Sequence, residues 1–325
     1  MPSPHIVVVG SYATGLTMKV ARIPGSGETL LGTGYRVDFG GKGSNQAVGC
    51  SRLGTRVDFV AKIGTDPFGD MALGLYRDEG IGTGFVSRCS EAPTGVGFIV
   101  VEADTGHNAI VIDPGANELL GPTEISAATS VFQSAAVVLT QLEIPVDAAA
   151  AAMAAGRIAG AITILNPAPV RPLPESVLTL IDVLTPNEKE ARILAGLKPE
   201  ADVEPATVAR KLIACGVKQV VMTLGEKGAL LVDAATQQHF PAVSVRAVDT
   251  TGAGDSFNAG LAAALAHGEG MEQAVKFAIV SGAMAVTKEG VIPSLPRREE
   301  VLKFCSSHDI HAPAWLSSQV ISAQK

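Results

Sequence analysis

The sequence predicts an α/β fold: a doubly wound, mostly parallel sheet flanked by helices, with a small β-sheet lid. Three observations carry this. Short β-branched apolar runs alternate with helix-periodic segments along most of the 325 residues, an order that folds as parallel strands joined by right-handed crossovers. Several of these runs are unbroken rather than alternating, as strands covered on both faces require. The alternation lapses twice, at 13–41 and 93–113, where strands and turns succeed one another without a helix.

In chain order, "IVVVG" (6–10), "VDFVAKIG" (57–64), "AAVVLTQLE" (135–143), "AITILNPAP" (161–169), "DVLTPN" (182–187) and "VKQVVMTLG" (217–225) read as buried strands. Residues 44–53, 68–79, 146–159, 187–196 and 205–215 read as helices between them. The helix-free stretches contain the hairpin-like turns "PGSGE" and "ADTGHN", which fit a secondary sheet over one end of the main one. The expected organisation is therefore a core built from 1–12, 42–92 and 114–305, a β lid from 13–41 and 93–113, and a tail, 306–325, with no assigned role. Functional groups belong at the carboxyl ends of the strands.

Hydrophobic residues make up 47% and charged residues 18% of the chain, enough for a large core. The net charge of −7 argues against a nucleic-acid surface. The longest apolar stretch, "AAAAAMAA" at 148–155, is too short to span a bilayer, and "MPSPHIVVVG" lacks the marks of a secretory signal. Cysteines at 50, 89, 215 and 305 are scattered, which fits a reducing compartment, the cytoplasm, and no disulfide framework.

Neither a Walker-A loop nor a Gly-x-Gly-x-x-Gly fingerprint occurs. The glycines that stand out lie in "DTTGAGDSFNAG" (249–260). Phe257, Leu261 and Leu265 recur every four residues, so a helix runs from about 255. Its first turn presents unpaired N–H groups and the positive end of the helix dipole. Glycines at 252 and 254 let the backbone approach an anion. A plain helix start capped by Asp255 is the competing reading; the flanking Asp249-Thr250 and Ser-Phe-Asn-Ala-Gly favour the anion cradle.

With "FGGKGSNQA" at 39–47, "QLE", "LNPAP", "TPNEKE", "TLGEKG" and "AVTKEGVIPSLP" added, the chain resembles the ribokinase-like (PfkB) family of carbohydrate kinases over roughly residues 5–305. The resemblance implies transfer of the ATP γ-phosphoryl group to a sugar hydroxyl, usually a primary one. Asp255 would be the base, and the amides of Gly252, Ala253 and Gly254 the anion hole. Gly41, Lys42, Asn45 and Glu143, with Asp255, would contact the sugar; Asn187, Thr223, Gly225, Gly228 and Gly254 the nucleotide. Glu190 would help organise Mg²⁺ indirectly. A monovalent cation, K⁺, would sit among Asp249, Thr251, Ala285, Lys288, Gly290 and Ser294, with the charged head of Lys288 turned away. The family also implies a homodimer packed through the lids; the charge and the short apolar runs leave neither nucleic acid nor membrane as an expected partner.

One departure bears on the substrate. Family members of the ribokinase branch carry Asn-x-Asp after the first strand, where the two side chains grip ring hydroxyls. Here those positions hold Ala13, Thr14 and Gly15. Tyr12 or Thr14 would have to supply other contacts, or a bigger, branched or deoxygenated sugar would be preferred to D-ribose. A nucleoside kinase of the same fold and a catalytically silent sugar-binding regulator are the alternative readings.

Overall fold

The computed structural model describes residues 4–318. Thirteen strands are present among them: β1 (His5–Val9), β2 (Ala13–Val20), β3 (Thr33–Gly40), β4 (Arg56–Gly64), β5 (Gly82–Cys89), β6 (Gly95–Glu102), β7 (Asn108–Asp113), β8 (Val137–Gln141), β9 (Ile162–Asn166), β10 (Val183–Leu184), β11 (Gln219–Thr223), β12 (Ala229–Val232) and β13 (Gln237–Phe240).

Nine of them form one sheet in the order β13-β12-β11-β10-β9-β8-β1-β4-β5. From β11 to β5 every pairing is parallel, and β12 and β13 add antiparallel pairs at one edge. β1 shows why the apolar runs are unbroken. Ile6 and Val8 enter one core layer and Val7 and Val9 the other, and all four are fully buried. Burying each such side chain contributes about 1.5–3 kcal/mol relative to exposure. One layer is covered by the helices Lys42–Arg52, Ala253–Ala266 and Met271–Ala285, the other chiefly by Val146–Ala159 and Pro205–Ala214. No helix among the described residues is long and apolar enough to cross a membrane.

The other four strands make a separate sheet, β3-β2-β6-β7, drawn from the two helix-free stretches. Its register sets two faces. Val37, Leu16, Phe98 and Val111 line up across one; Asp38, Gly15, Gly97 and Ile112 line up across the other. Arg36, on the same face as Asp38, reaches Glu289 of the main body at 3.3 Å. Along β2 and β3 that face looks toward the body, while its β7 edge is open, with Ile110 and Ile112 53% and 62% exposed; on the opposite face Tyr35, Phe98 and Val111 are 61%, 53% and 70% exposed.

The described part of the expected tail, 306–318, lies against the main body. The helix Ala314–Ser318 follows Arg298–Ser307 and packs on the core. Trp315 stacks on His267 with ring centroids 4.1 Å apart and meets Phe277 edge-on at 5.3 Å. Leu316 is fully buried, and Arg298 donates to its carbonyl. Burial pulls the His267 pKa down to about 4, with the nearby Arg298 charge adding to the effect. Residues 319–325 of the expected tail lie outside the described residues. Leu316→Ala should lower unfolding stability by about 2–4 kcal/mol in urea denaturation; a loss under about 0.5 kcal/mol would mean the segment is not an integral part of the core.

Candidate active site

The helix Ala253–Ala266 begins at Gly252, whose φ of 80° is the left-handed conformation that favours glycine. A Cβ there would also stand 2.7 Å from Val291 Cγ1. The turn thus seats the start of the helix against the 290–294 segment. Ala253 N–H donates to Thr250 O at 3.3 Å, so of the three amides in the glycine turn it is the one already engaged within the loop. Asp255 lies in the first helical turn and is 5% exposed. Each of its carboxylate oxygens accepts one amide hydrogen: Asn45 Nδ2 donates to Oδ2 at 2.8 Å, and Gln46 Nε2 to Oδ1 at 2.9 Å. Both donors come from the first turns of Lys42–Arg52, so two helices meet at one carboxylate.

Beneath it runs a buried polar layer that sequence reasoning did not single out. Gln46 Nε2 also donates to Asn166 Oδ1 (3.1 Å), and Gln141 Nε2 donates to Gln46 Oε1 (2.6 Å). Asn166 Nδ2 donates to Thr185 O, Thr185 Oγ1 to Asn258 Oδ1, and Asn258 Nδ2 to Gly254 O. The chain of bonds closes back on the residue before Asp255. All five side chains, Gln46, Gln141, Asn166, Thr185 and Asn258, are buried. For Gln46, Asn166 and Asn258 the signal was that "SNQA", "LNPAP" and "DSFNAG" place polar groups inside otherwise apolar elements, where each needs a partner.

Around this centre the other predicted acceptor residues converge. Glu143 Oε2 accepts from Ser11 Oγ at 2.6 Å and from Lys42 N at 2.8 Å. Gly41 is required where it stands: with φ 88°, a Cβ would lie 2.7 Å from Tyr12 Cα. Lys42 is half-buried, and the Asp255 carboxylate, with lesser help from Glu143 and Glu190, holds its pKa above the ordinary lysine value against the opposing effect of burial. Tyr12 and Thr14 do not supply the substitute contacts considered above. Both are fully buried, their hydroxyls pair with each other at 3.1 Å, and Tyr12 packs edge-on to Tyr76.

On the far side of the glycine turn a cleft of about 980 Å³ is lined by Asn187, Thr223, Gly225, Gly228 and Gly254, with Val243, Val245, Ile279 and Val286 as apolar wall. Asn187 is also a helix cap. Its Oδ1 accepts from Glu190 N, and Glu190 Oε2 accepts from Asn187 N, each at 2.9 Å. Burial pushes the Glu190 pKa up, against the Asn187 hydrogen bonds and the Lys42 charge.

Asp249 ties two loops together, its Oδ1 accepting from Thr251 N at 2.9 Å and its Oδ2 from Gly290 N at 3.0 Å. Ser294 is buried and its hydroxyl donates to Val291 O. Ala285 O accepts from Lys288 N, and the Lys288 ammonium turns to Glu300 at 2.7 Å. Asp249 and Ser294 offer oxygen side chains, the donor type a hard cation takes, and each is engaged with backbone groups of its own loops. Among the described residues no three His, Cys, Asp or Glu side chains cluster to hold a metal, the His308–His311 stretch included.

A donor-held buried carboxylate, an amide-lined helix start and a cleft of nucleotide size can together receive a hydroxyl proton and stabilise a transferring anion. Comparison with known proteins agrees with this chemistry. The family described as pfkB family carbohydrate kinase matches residues 3–298. A ribokinase of Haemophilus influenzae is 35% identical over 92% of this chain and 97% of its own. A deoxyribokinase of Salmonella typhi is 34% identical over 94% and 99%. Among solved structures, the ribokinase of Thermotoga maritima superposes with a TM-score of 0.85 at 38% identity, covering 93% of this chain and 99% of that one. The Arabidopsis thaliana ribokinase complexed with ribose and ATP gives 0.87 at 32% identity, covering 93% and 98%.

Proposed function

The chain belongs to the pfkB family of carbohydrate kinases and is an ATP-dependent sugar kinase; on that premise we propose that it phosphorylates a pentose-sized sugar and discriminates weakly between D-ribose and its 2-deoxy analogue. The acceptor hydroxyl gives its proton to Asp255 as its oxygen forms the new bond to the γ-phosphorus and the bond to ADP breaks. Asp255 is suited to this because Asn45 and Gln46 each donate to one of its oxygens and so hold the carboxylate in place at the start of the helix. The Gly252 and Gly254 amides, left free of the loop bond that engages Ala253, and the Lys42 ammonium would meet the charge that moves, and the cleft lined by Asn187, Thr223, Gly225 and Gly228 would take the nucleotide.

Mg²⁺ would be held chiefly by the ATP phosphates, with Glu190 orienting its shell; it supplies charge neutralisation. K⁺ would rest on Asp249 and Ser294 side chains and the carbonyls of Thr251, Ala285, Lys288 and Gly290, holding the turn in its anion-binding form. The four free cysteines fit the reducing cytoplasm.

The observation that carries the substrate reading is the row Ala13–Gly40–Gly95 with Gly15 and Gly97 beside it. A site that hydrogen-bonds a hydroxyl rejects the analogue lacking it by up to about 10⁴–10⁵, because its own polar group is orphaned. At Ala13 and Gly15 there is no group to orphan. A nucleoside is disfavoured because no aromatic is placed to stack a base over the acceptor: Tyr12 is buried, Phe39 packs on the core, and Tyr35 and Phe98 sit on the outer face of the small sheet. The intact Asp255 and its donors disfavour a silent regulator.

The small sheet acts as a lid over the acceptor, and a second copy of the chain covers its exposed Tyr35, Phe98 and Val111 face. Light scattering should give a dimer at micromolar concentration; a monomer contradicts the pairing. ADP release with Mg·ATP and K⁺ should give kcat/KM values for D-ribose and 2-deoxy-D-ribose within about tenfold of each other, and tetramethylammonium in place of K⁺ should lower both. A ratio above about 10³ would refute the weak discrimination, and indifference to the cation swap would refute the K⁺ site.

A further inference from the structure

The floor of the acceptor site is rich in polar groups, but the lid above it is not. In the two cross-strand rows nearest the hinge, the body-facing residues are Ala13, Gly40, Gly95, Gly15, Asp38, Gly97 and Ile112. Of these only Asp38 has a polar side chain. A sugar held under these two rows would find one side chain in them able to accept its hydroxyl hydrogens.

The geometry around Asp38 is open. It pairs directly with Gly15 across β2 and β3. A Cβ built on Gly15 would stand 3.8 Å from the Asp38 Cβ and 3.6 Å from Ile99 Cδ1, and one built on Gly97 would meet nothing within 4 Å. The Asp38 side chain thus rises beside the space that Gly15 leaves empty, with room to lean over β2. Its side chain is 45% exposed, and its ion pair is loose: Arg36 Nε lies 3.5 Å from Oδ2, while the same guanidinium reaches Glu289 at 3.3 Å. Such a half-exposed pair is worth about 0–1 kcal/mol, too little to keep the carboxylate from a better partner. A carboxylate has two oxygens and can accept from two neighbouring hydroxyls at once.

We propose that Asp38 is the specificity-determining carboxylate of the lid, accepting hydrogen bonds from vicinal ring hydroxyls of the sugar from β3 rather than from position 15 on β2. The proposal rests on the reading of the cleft as a sugar site. It leaves Asp255 as base and adds the group that orients the ring beneath the lid. Because Asp38 stays hydrated when no hydroxyl reaches it, a deoxy sugar loses a contact without orphaning a buried charge, which keeps the discrimination modest.

The test compares Asp38→Ala, Asp38→Asn and the relocated pair Gly15→Asp with Asp38→Ala, each assayed with D-ribose and 2-deoxy-D-ribose. Expected for Asp38→Ala is a rise of about tenfold in KM for ribose, from the loss of hydrogen bonds to a charged group. The rise should be smaller for the deoxy sugar, with kcat within about threefold and KM for Mg·ATP unchanged. Asp38→Asn should fall between, and the relocated pair should recover most of the ribose KM. A purely structural role would not be rescued by moving the carboxylate one strand over. Unchanged KM in Asp38→Ala, or a rise that relocation leaves in place, would overturn the proposal while the kinase reading stands. No turnover of any sugar by the parent enzyme would overturn both.

Discussion

The proposed phosphoryl-transfer site is built around one buried carboxylate held between two helices. Asp255 enters from the start of Ala253–Ala266, and its donors Asn45 and Gln46 from the start of Lys42–Arg52. For the two to meet, the helices must approach closely, and small residues permit it. A Cβ on Gly49 would lie 2.6 Å from Ala259 Cβ, so a larger residue at that crossing would force the helices apart. The approach also seats the glycine turn, since Gly252 lies against Val291 and Asp249 links residues 251 and 290. The proposed base, anion cradle and cation loop are consequently one packed unit.

That unit is anchored to the sheet by polar rather than apolar contacts. Gln141, Asn166 and Thr185 lie at the carboxyl ends of β8 and β9 and just beyond β10, and their side chains form the bonds that run from Gln46 to Gly254. Leaving any one member unpaired would cost about 1–3 kcal/mol. Because each bond also fixes which amide atom faces which partner, the layer sets orientation as well as position. Gln46 shows this: its two hydrogens go to Asp255 and Asn166 and its oxygen accepts from Gln141, so turning the amide over would set oxygen against carboxylate.

How much of this was legible in the sequence follows from the physics of each part. The strands β1 and β8 are buried throughout, and β4, β9 and β11 over most of their length, so their apolar runs stand out. β5 is an edge strand with glycines, Ser87 and Arg88, and β12 and β13 are four residues each, so neither run nor period marks them. The segment at 314–318 is too short for periodicity, and only Trp315 and Leu316 hint at burial. At the site, charged and glycine positions were readable because their chemistry is unusual locally. Gln46, Gln141, Asn166 and Asn258 were not, because an amide becomes informative only once the elements around it are packed. Tyr12 and Thr14 show the converse: residues that look available for a ligand can be satisfied by each other.

The lid completes the picture by being unlike the core. The two body-facing rows nearest the hinge carry Asp38 as their one polar side chain, so on the proposed reading sugar selection falls to few atoms, whereas the chemistry below rests on many. The central claim is that Asp255 takes the acceptor proton. The direct measurement is ADP formation by Asp255→Ala against the parent enzyme at saturating sugar and Mg·ATP, with binding of a non-hydrolysable ATP analogue followed in parallel. The account predicts a fall in kcat of about 10²–10⁴ with nucleotide affinity within a few-fold. A kcat within about tenfold of the parent, with the protein folded and nucleotide bound, would contradict it.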